Sequence, residues 1–579
     1  MVDAAPGVAT GDGRRAAATA SGAGPVVSPS DRREGVTMFI DSKRGAASGL
    51  GPAGAATVAT GAMTGAEGLL RTVSACGVRL CFANPGTSEM HFLAALERVP
   101  DIRPVLGLFE GAVTGMADGY ARVTGTPAMT LLHLGPGFAN GIANLHNARR
   151  AKSPVVNVVG DHATYHNRWD SALKTDVAAL ARPASDWLTV SASAQTVAAD
   201  GARAVAAALE RPGRIATLIL PADTAWGQAD GPCRPLPGQA PPALDDAAVT
   251  RVARILRDRG NSSTLFVRGA AGSAAGLAAV GRICARTGAR AMMDLSTGTV
   301  LRGRGRFPIA RVPYRAEDAV RALHDVTDLI LVGAQPPVAP FAYPDYPSWC
   351  VAEGTALTYL AHEHEDEVRA LEALAEALGA GRFEPASAAA TAVEASTGVL
   401  DAAAIGRSVA RHLPEDAIVS EEAISNAFPI VAALTAAPPH LHLALTGGAI
   451  GQGIPLATGA AVAAPGRKVV NIQADGSAMY TLQALWTQAR ERLDVVTIIL
   501  ANRSYAVLRA EVDRVGATIG AGLSAGLLDI DDPALDWVAL ARGMGIEGCR
   551  ATSAEQFDDM LASAMAATGP RLIEAAMRA

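Results

Sequence analysis

The residues best suited to chemistry stand at the two ends of one stretch, Lys468–Tyr505. An apolar run (Val469, Val470, Ile472) stops at Asp475-Gly476-Ser477, and a second run, Val495–Leu500, stops at Asn502, 27 positions beyond Asp475. Asp475 offers a hard carboxylate oxygen and Asn502 a carbonyl oxygen. Gly476 and Ser477 would open a helix with N–H groups free to face an anion. Two oxygen ligands beside an anion site suit a Mg2+ ion that completes its octahedron with phosphate oxygens and water. Between the runs, Leu482, Leu485, Trp486, Ala489 and Leu493 recur with a helical period, so the spacing predicts strand, crossover helix and strand. Such a crossover makes the strands parallel and brings both carboxyl ends to one sheet edge, where open α/β folds take their ligands. Singly, Asp475-Gly476-Ser477 also reads as a helix cap and Asn502 as a turn residue; it is their joint placement that points to a site.

A second set lies nearer the amino terminus. The pattern runs helix Ala66–Val73, strand Val78–Ala83, helix Met90–Leu96, strand Val105–Phe109 and helix Gly111–Arg122. It continues with strand Met129–His133, a break over Leu134–Gly137, helix Phe138–Ala151 and strand Val155–Val159. This alternation predicts a doubly wound parallel sheet. Thr87, Glu110 and His133 then fall at carboxyl ends of three strands, on one rim. Alone, Glu110 also suits a helix N-terminus, His133 a strand-end core histidine and Thr87 a helix cap. A third stretch, Leu445–Pro455 (LTGGAIGQGIP), carries glycines that let backbone approach a ligand closely.

At 579 residues the chain is too long for one core. The fold expected is α/β, three doubly wound parallel-sheet domains behind a disordered N-terminal tail. Residues 1–62 are rich in Ala, Gly, Ser and Pro without a sustained period, and lack the compact apolar core of a signal peptide. A disordered extension, or translation that begins at Met38 or Met63, is the expectation for this stretch. The domains are expected at 63–230, 244–384 and 399–579, separated by the Pro-rich Cys233–Pro242 and an Ala/Ser/Thr-rich linker before 399. A net charge of −6 with 18% charged residues gives no basic excess for nucleic acid or an anionic membrane surface. No uninterrupted apolar window is long enough to span a membrane. Six cysteines without zinc spacing read as reduced thiols of a cytoplasmic protein. Gly269, Gly272 and Gly276 miss the GxGxxG spacing, so a dinucleotide site is not supported.

Ala474-Asp475-Gly476, ending in Asn502-Arg503-Ser504, resembles the magnesium–diphosphate motif of thiamine diphosphate enzymes, with Ala474 in place of the usual first glycine. Phe109–Arg122 (FEGAVTGMADGYAR) is similar to the segment that carries that family's glutamate. The resemblance implies that Asp475, Asn502 and the Ser504 backbone carbonyl hold Mg2+. It implies that Pro85, Gly448, Gly476, Ser477 and Tyr505 face the cofactor, and that Ile450 wedges between its two rings. Glu110 would bond the aminopyrimidine ring across a subunit interface, which implies a homodimer or homotetramer. The likeness runs from Thr64 to the C-terminus and is nearest the benzoylformate decarboxylase and acetolactate synthase branch. Asn84–Glu89 (NPGTSE) puts Thr87 where the former has its substrate-binding serine, and His133 falls on one of its active-site histidines. The second histidine has no counterpart in Ala310–Tyr314 (ARVPY). Phe109, His133-Leu134 and Tyr505–Arg509 likewise depart from the acetolactate synthase pattern. The activity implied is decarboxylation of a small 2-oxo acid, or carboligation after it. Some carboligases of the family hold FAD in the central domain, and no residue here demands it. The alternative is a catalytically silent paralogue serving as a regulatory or scaffold subunit, against which the retained cofactor residues speak.

Overall fold

The computed structural model describes residues 62–577 apart from 344–345, 390–391, 520–521 and 523. The tail expected over 1–62 lies outside the described residues but for Ala62, as does the alternative start at Met38.

Long apolar runs such as Ile215–Pro221 and Val495–Ala501 are buried at every position. A strand without alternation must be covered on both faces, which is the environment of a parallel sheet between helices. Three sheets form this way. The first holds β1 (Leu80–Asn84), β2 (Arg103–Leu106), β3 (Ala128–Leu132), β4 (Val155–Asp161), β5 (Trp187–Val190) and β6 (Ile215–Pro221), in the order β2-β1-β3-β4-β6-β5. The middle stretch supplies β7 (Ser263–Val267), β8 (Arg290–Met293), β9 (Thr299–Arg302), β10 (Ala310–Arg311), β11 (Asp328–Val332) and β12 (Ala356–Ala361). Its sheet runs β10-β8-β7-β11-β12, and β9 is not in it. The third sheet adds β13 (Ile418–Glu422), β14 (His440–Ala444), β15 (Val469–Ala474), β16 (Val495–Ala501), β17 (Glu547–Ala551) and β18 (Arg571–Ala576), in the order β17-β18-β16-β15-β13-β14-β9. Neighbouring strands pair in parallel except β9, which leaves the middle stretch and lies antiparallel on β14, Leu441 opposite Leu301.

Each sheet has a central switch point where the strand order turns from one side to the other: between β1 and β3, between β7 and β11, and between β13 and β15. A switch point opens a crevice beyond the carboxyl ends of the two strands. Four helices frame the outer crevices: α1 (Glu110–Thr124), α2 (Leu134–Ala151), α3 (Gly453–Ala463) and α4 (Ala484–Arg490). The first and third sheets share a core in which Val113, Met116 and Ala117 of α1 meet Leu456, Ala457 and Ala460 of α3. The backbones touch there: a Cβ on Gly119 would lie 2.1 Å from the Leu456 carbonyl oxygen, and one on Gly459 1.9 Å from that of Met116. A buried ion pair, Asp118–Arg122 at 2.6 Å, continues the seam. Asp118 accepts from Gln452 Nε2 (2.6 Å), and Arg122 donates to the Ala444 carbonyl (2.8 Å).

Three expected elements differ. The strand expected over Val105–Phe109 is Arg103–Leu106, so Glu110 does not end it but follows after a short turn as the first residue of α1. The helix expected from Phe138 begins at Leu134. First-turn N–H groups have no partner within a helix, so Pro136 fits there without cost. The crossover helix expected to run on from Asp475 is broken into a single turn, Asp475–Ala478, and then α4. Between them the buried Thr481 hydroxyl donates to the Gly451 carbonyl (2.8 Å), and the Tyr480 and Thr481 N–H groups close tight i→i−3 turns. A side-chain bond to a neighbouring loop thus competes with the helix ladder. The buried stripe of α4 is accordingly Ala484, Leu485, Thr487 and Gln488 rather than the apolar series.

Candidate active site

At the first crevice, β1 runs out into Asn84-Pro85-Gly86 and a 3₁₀ turn, Thr87–Glu89. Glu89 is buried. Its Oε2 accepts the Gly86 N–H (2.7 Å) and faces His133 Nδ1 at 2.8 Å, across the crevice at the end of β3. Ser88 Oγ donates to Glu89 Oε1 and lies 3.3 Å from the same histidine nitrogen. Glycine is required at 86, because a Cβ there would sit 2.2 Å from the His133 ring. Thr87 is exposed, so the hydroxyl that reaches His133 is that of Ser88. Glu110 opens α1 one element further along the rim. It is buried and accepts from Asn140 Nδ2 of α2 at 3.0 Å. A Cβ on Gly137 would lie 2.8 Å from Glu110 Oε1 and 3.4 Å from His133 Cβ, so the two residues flank one glycine.

At the third crevice, Asp475 and Asn502 follow β15 and β16, adjacent strands with Ala474 opposite Leu500. Asp475 is buried. Its Oδ1 accepts the Gly476 N–H (2.8 Å) and its Oδ2 the Arg503 N–H (2.7 Å). The Gly476 N–H, expected to be free for an anion, is therefore engaged. Asn502 Oδ1 accepts the Ser504 N–H at 3.2 Å. Burial raises the Asp475 carboxyl above its ordinary range, and the two backbone donors pull it back. A buried carboxylate held by N–H groups rather than an ion-paired side chain, beside an amide oxygen, is a donor set that fits a hard divalent cation. Among the described residues no three His, Cys, Asp or Glu side chains gather as a self-sufficient metal cage, so such an ion would need phosphate or water oxygens as well.

The Leu445–Gln452 loop lies against this rim. Gly448 takes a positive φ of 75°, Ile450 is half-buried, and the Tyr505 ring packs on Gly476, where a Cβ would lie 2.6 Å from it. Ser477 Oγ is occupied by Gln473 Nε2 (2.6 Å) and the Ala474 carbonyl (3.1 Å). Glu422, at the end of β13, receives the Gly451 N–H at 2.7 Å and the Gly453 N–H beside it. Complete burial pushes its carboxyl up to about 7. Asn144 of α2 donates to both the Gly111 carbonyl (2.8 Å) and the Gly451 carbonyl (3.3 Å), which ties the start of α1 to the loop. Glu89, Glu422, Asn140 and Asn144 are not singled out by sequence alone. Glu89 has a signal only in standing three residues past Gly86, where a glutamate can accept the backbone N–H at the start of a turn, and Glu422 in the acidic end of the apolar run Ile418-Val419.

A buried carboxylate borders the middle crevice. A Cβ on Gly269 or Gly333, just past β7 and β11, would meet Glu367 Oε1 at 2.8 and 2.9 Å. Arg211 of the first domain donates to Glu367 Oε2 at 3.1 Å, and burial raises this carboxyl to about 7.

Two family models match this chain: "Thiamine pyrophosphate enzyme, N-terminal TPP binding domain" over residues 63–181, and the corresponding C-terminal TPP binding domain over 428–575. IlvX of Mycobacterium tuberculosis, provisionally named an acetolactate synthase large subunit, is 47% identical over 514 residues, 88% of this chain and 98% of that one. The chain belongs to the thiamine pyrophosphate enzyme family. Among other family members, benzoylformate decarboxylase of Pseudomonas aeruginosa is 30% identical, with 86% of this chain and 96% of that one covered. The solved structure of a thiamine diphosphate-dependent 4-hydroxybenzoylformate decarboxylase from Rhodococcus jostii RHA1 superposes with a TM-score of 0.77 at 26% identity, covering 89% of this chain and 99% of that one. The protein is thus a thiamine diphosphate-dependent enzyme of the acetolactate synthase and benzoylformate decarboxylase type. Among the described residues no helix is long and apolar enough to cross a membrane.

Proposed function

We propose that this enzyme is a Mg2+-dependent 2-oxo acid decarboxylase or carboligase that works as a homodimer or homotetramer, its domains spanning 63–230, 244–384 and 399–579. The observation that carries the reading is the division between two crevices: a buried, unneutralised Asp475 beside Asn502 on one, and Glu110 with His133 around Gly137 on the other. Asp475, Asn502 and the Ser504 carbonyl hold Mg2+, while Gly476, Ser477 and Tyr505 line the diphosphate side. Ile450, Gly448 and Pro85 shape the walls. Thiamine diphosphate, when bound, supplies the electron sink that lets CO2 leave a 2-oxo acid. Glu110 holds a proton at its carboxyl for the cofactor's pyrimidine edge, reaching the cofactor of a second copy. His133 exchanges a proton with the substrate-derived carbon or oxygen, and Thr87 orients the substrate carboxylate from its exposed turn. All six cysteines are free thiols, the state favoured in a reducing cytoplasm.

Apoprotein is titrated with thiamine diphosphate with and without Mg2+, then given pyruvate, phenylglyoxylate and branched-chain 2-oxo acids while CO2 and products are measured. Mg2+-dependent binding and turnover of one class is expected. Failure to bind the cofactor rejects the reading, and binding without turnover of any member favours a silent scaffold subunit.

A further inference from the structure

Glu89 takes no part in the chemistry assigned to Glu110, His133 and Thr87, yet it is the most enclosed charged group on the first rim, 3% exposed. Its surroundings are cut to its shape. A Cβ on Gly160, in β4 beside β3, would fall 1.8 Å from Glu89 Oε1, and one on Gly86 would strike the His133 ring. Two glycines on different elements thus clear the space for a carboxylate and an imidazole in contact. An ionised carboxylate only accepts hydrogen bonds, so Ser88 Oγ, the Gly86 N–H and His133 Nδ1 must all act as donors toward it. A proton fixed on Nδ1 leaves Nε2 as the basic nitrogen of the neutral ring. The His133 side chain is 21% exposed while Glu89 beneath it is sealed, so the carboxylate lies on the inner side of the ring.

We propose that Glu89 is a positioning residue that sets the tautomer and orientation of His133, presenting Nε2 as the nitrogen that exchanges protons with substrate. The proposal rests on the proton-exchange role of His133 in the proposed function. The same carboxylate anchors the Gly86 N–H, so it also locks the Asn84–Thr87 turn to the end of β3 across the crevice. Glu110, also at this rim, stands on the far side of Gly137 and bonds Asn140 instead.

The test is Glu89→Gln in the full-length holoenzyme, alone and with His133→Asn. Glutamine can turn its amide toward Nδ1 and donate, which removes the preference for Nδ1–H. Loss of such an orienting partner typically costs about 10- to 100-fold in activity, so kcat is expected to fall by that factor while KM and thiamine diphosphate affinity stay within about threefold. In the His133→Asn background Glu89→Gln is expected to cost nothing further, since contributions made through one partner are not additive. Protein labelled with ¹⁵N-histidine, with the His133 signals identified by their loss in His133→Asn, is expected to show Nδ1–H in the wild type and a mixed or Nε2–H tautomer in Glu89→Gln. An unchanged tautomer, or an equal loss of kcat in both backgrounds, overturns the proposal. Glu89→Asp, which keeps the charge but shortens the reach, gives the same spectral readout if glutamine unfolds the turn. The spectra need no turnover, so a protein inactive on every 2-oxo acid would defeat the functional reading while leaving the Glu89–His133 link to be judged on its own.

Discussion

At the rim of the first sheet and again at the rim of the third, a functional side chain ends a buried strand and a non-glycine residue in the left-handed region comes at once after it: Leu134 after His133 (φ 53°) and Arg503 after Asn502 (φ 58°). That conformation costs an L-residue about 1–2 kcal/mol and persists where surrounding contacts over-determine it. The turn at Arg503 aims its N–H at Asp475, and the turn at Leu134 carries the chain from His133 directly into α2. The rims differ in what satisfies their carboxylates. Glu89 and Glu110 have side-chain partners, His133 and Asn140, whereas Asp475 has backbone N–H groups. A carboxylate beside a titratable or amide side chain suits proton traffic; one held by a fixed backbone suits a cation.

That division can be broken by experiment. Glu110→Gln is expected to lower kcat by about 100- to 10,000-fold, the range for losing a general acid–base, with Mg2+-dependent cofactor affinity nearly unchanged. Asp475→Asn is expected to do the reverse, weakening thiamine diphosphate binding by about 100-fold or more, since losing a direct ligand exceeds the 10- to 100-fold of an outer partner. Titration calorimetry with steady-state kinetics checks both, and two variants moving the same parameter would collapse the distinction. Glu422 sharpens it through pH. Its carboxyl rises from the ordinary 4.5 to about 7, so the folded protein holds a proton that the unfolded chain releases. The stability it contributes is full below pH 4.5 and lost as pH rises through 7. Glu422→Gln should therefore gain relative to wild type between pH 5 and pH 8 by on the order of 2–3 kcal/mol, read from unfolding curves at the two pH values. A difference that does not change with pH would mean the loop holds an ionised Glu422 throughout. The smallest effect is expected for Thr481→Val, which removes the bond to the Gly451 carbonyl. About 1 kcal/mol of stability should go, with a severalfold weaker cofactor affinity and an unaltered kcat at saturation.

The strand–crossover–strand unit that ends at Asp475 and Asn502 was legible because two β-branched runs are too apolar for anything but a doubly covered strand, and because parallel winding forces both ends to one edge. The first rim was legible for the same reason. Glu89 was not, since a glutamate three residues after Gly86 in a turn looks like a cap, and its second duty depends on a histidine 44 positions away. The break after Ala478 was hidden because the apolar period begins only at Leu482 and the Asp475-Gly476-Ser477 start reads as its cap, while the competing bond comes from a loop 30 residues earlier. The carboxylate that borders the middle crevice was not legible, because it comes from Glu367, far along the chain from Gly269 and Gly333.

Strand β9 carries a practical corollary for anyone dividing this polypeptide. It is encoded inside the middle stretch but completes the far margin of the third sheet beside β14. A fragment cut at 399 would bare the whole N–H and C=O margin of β14, together with the sealed His440 and His442, inviting strand-to-strand aggregation. Residues 299–302 must therefore travel with the C-terminal third in any swap or excision.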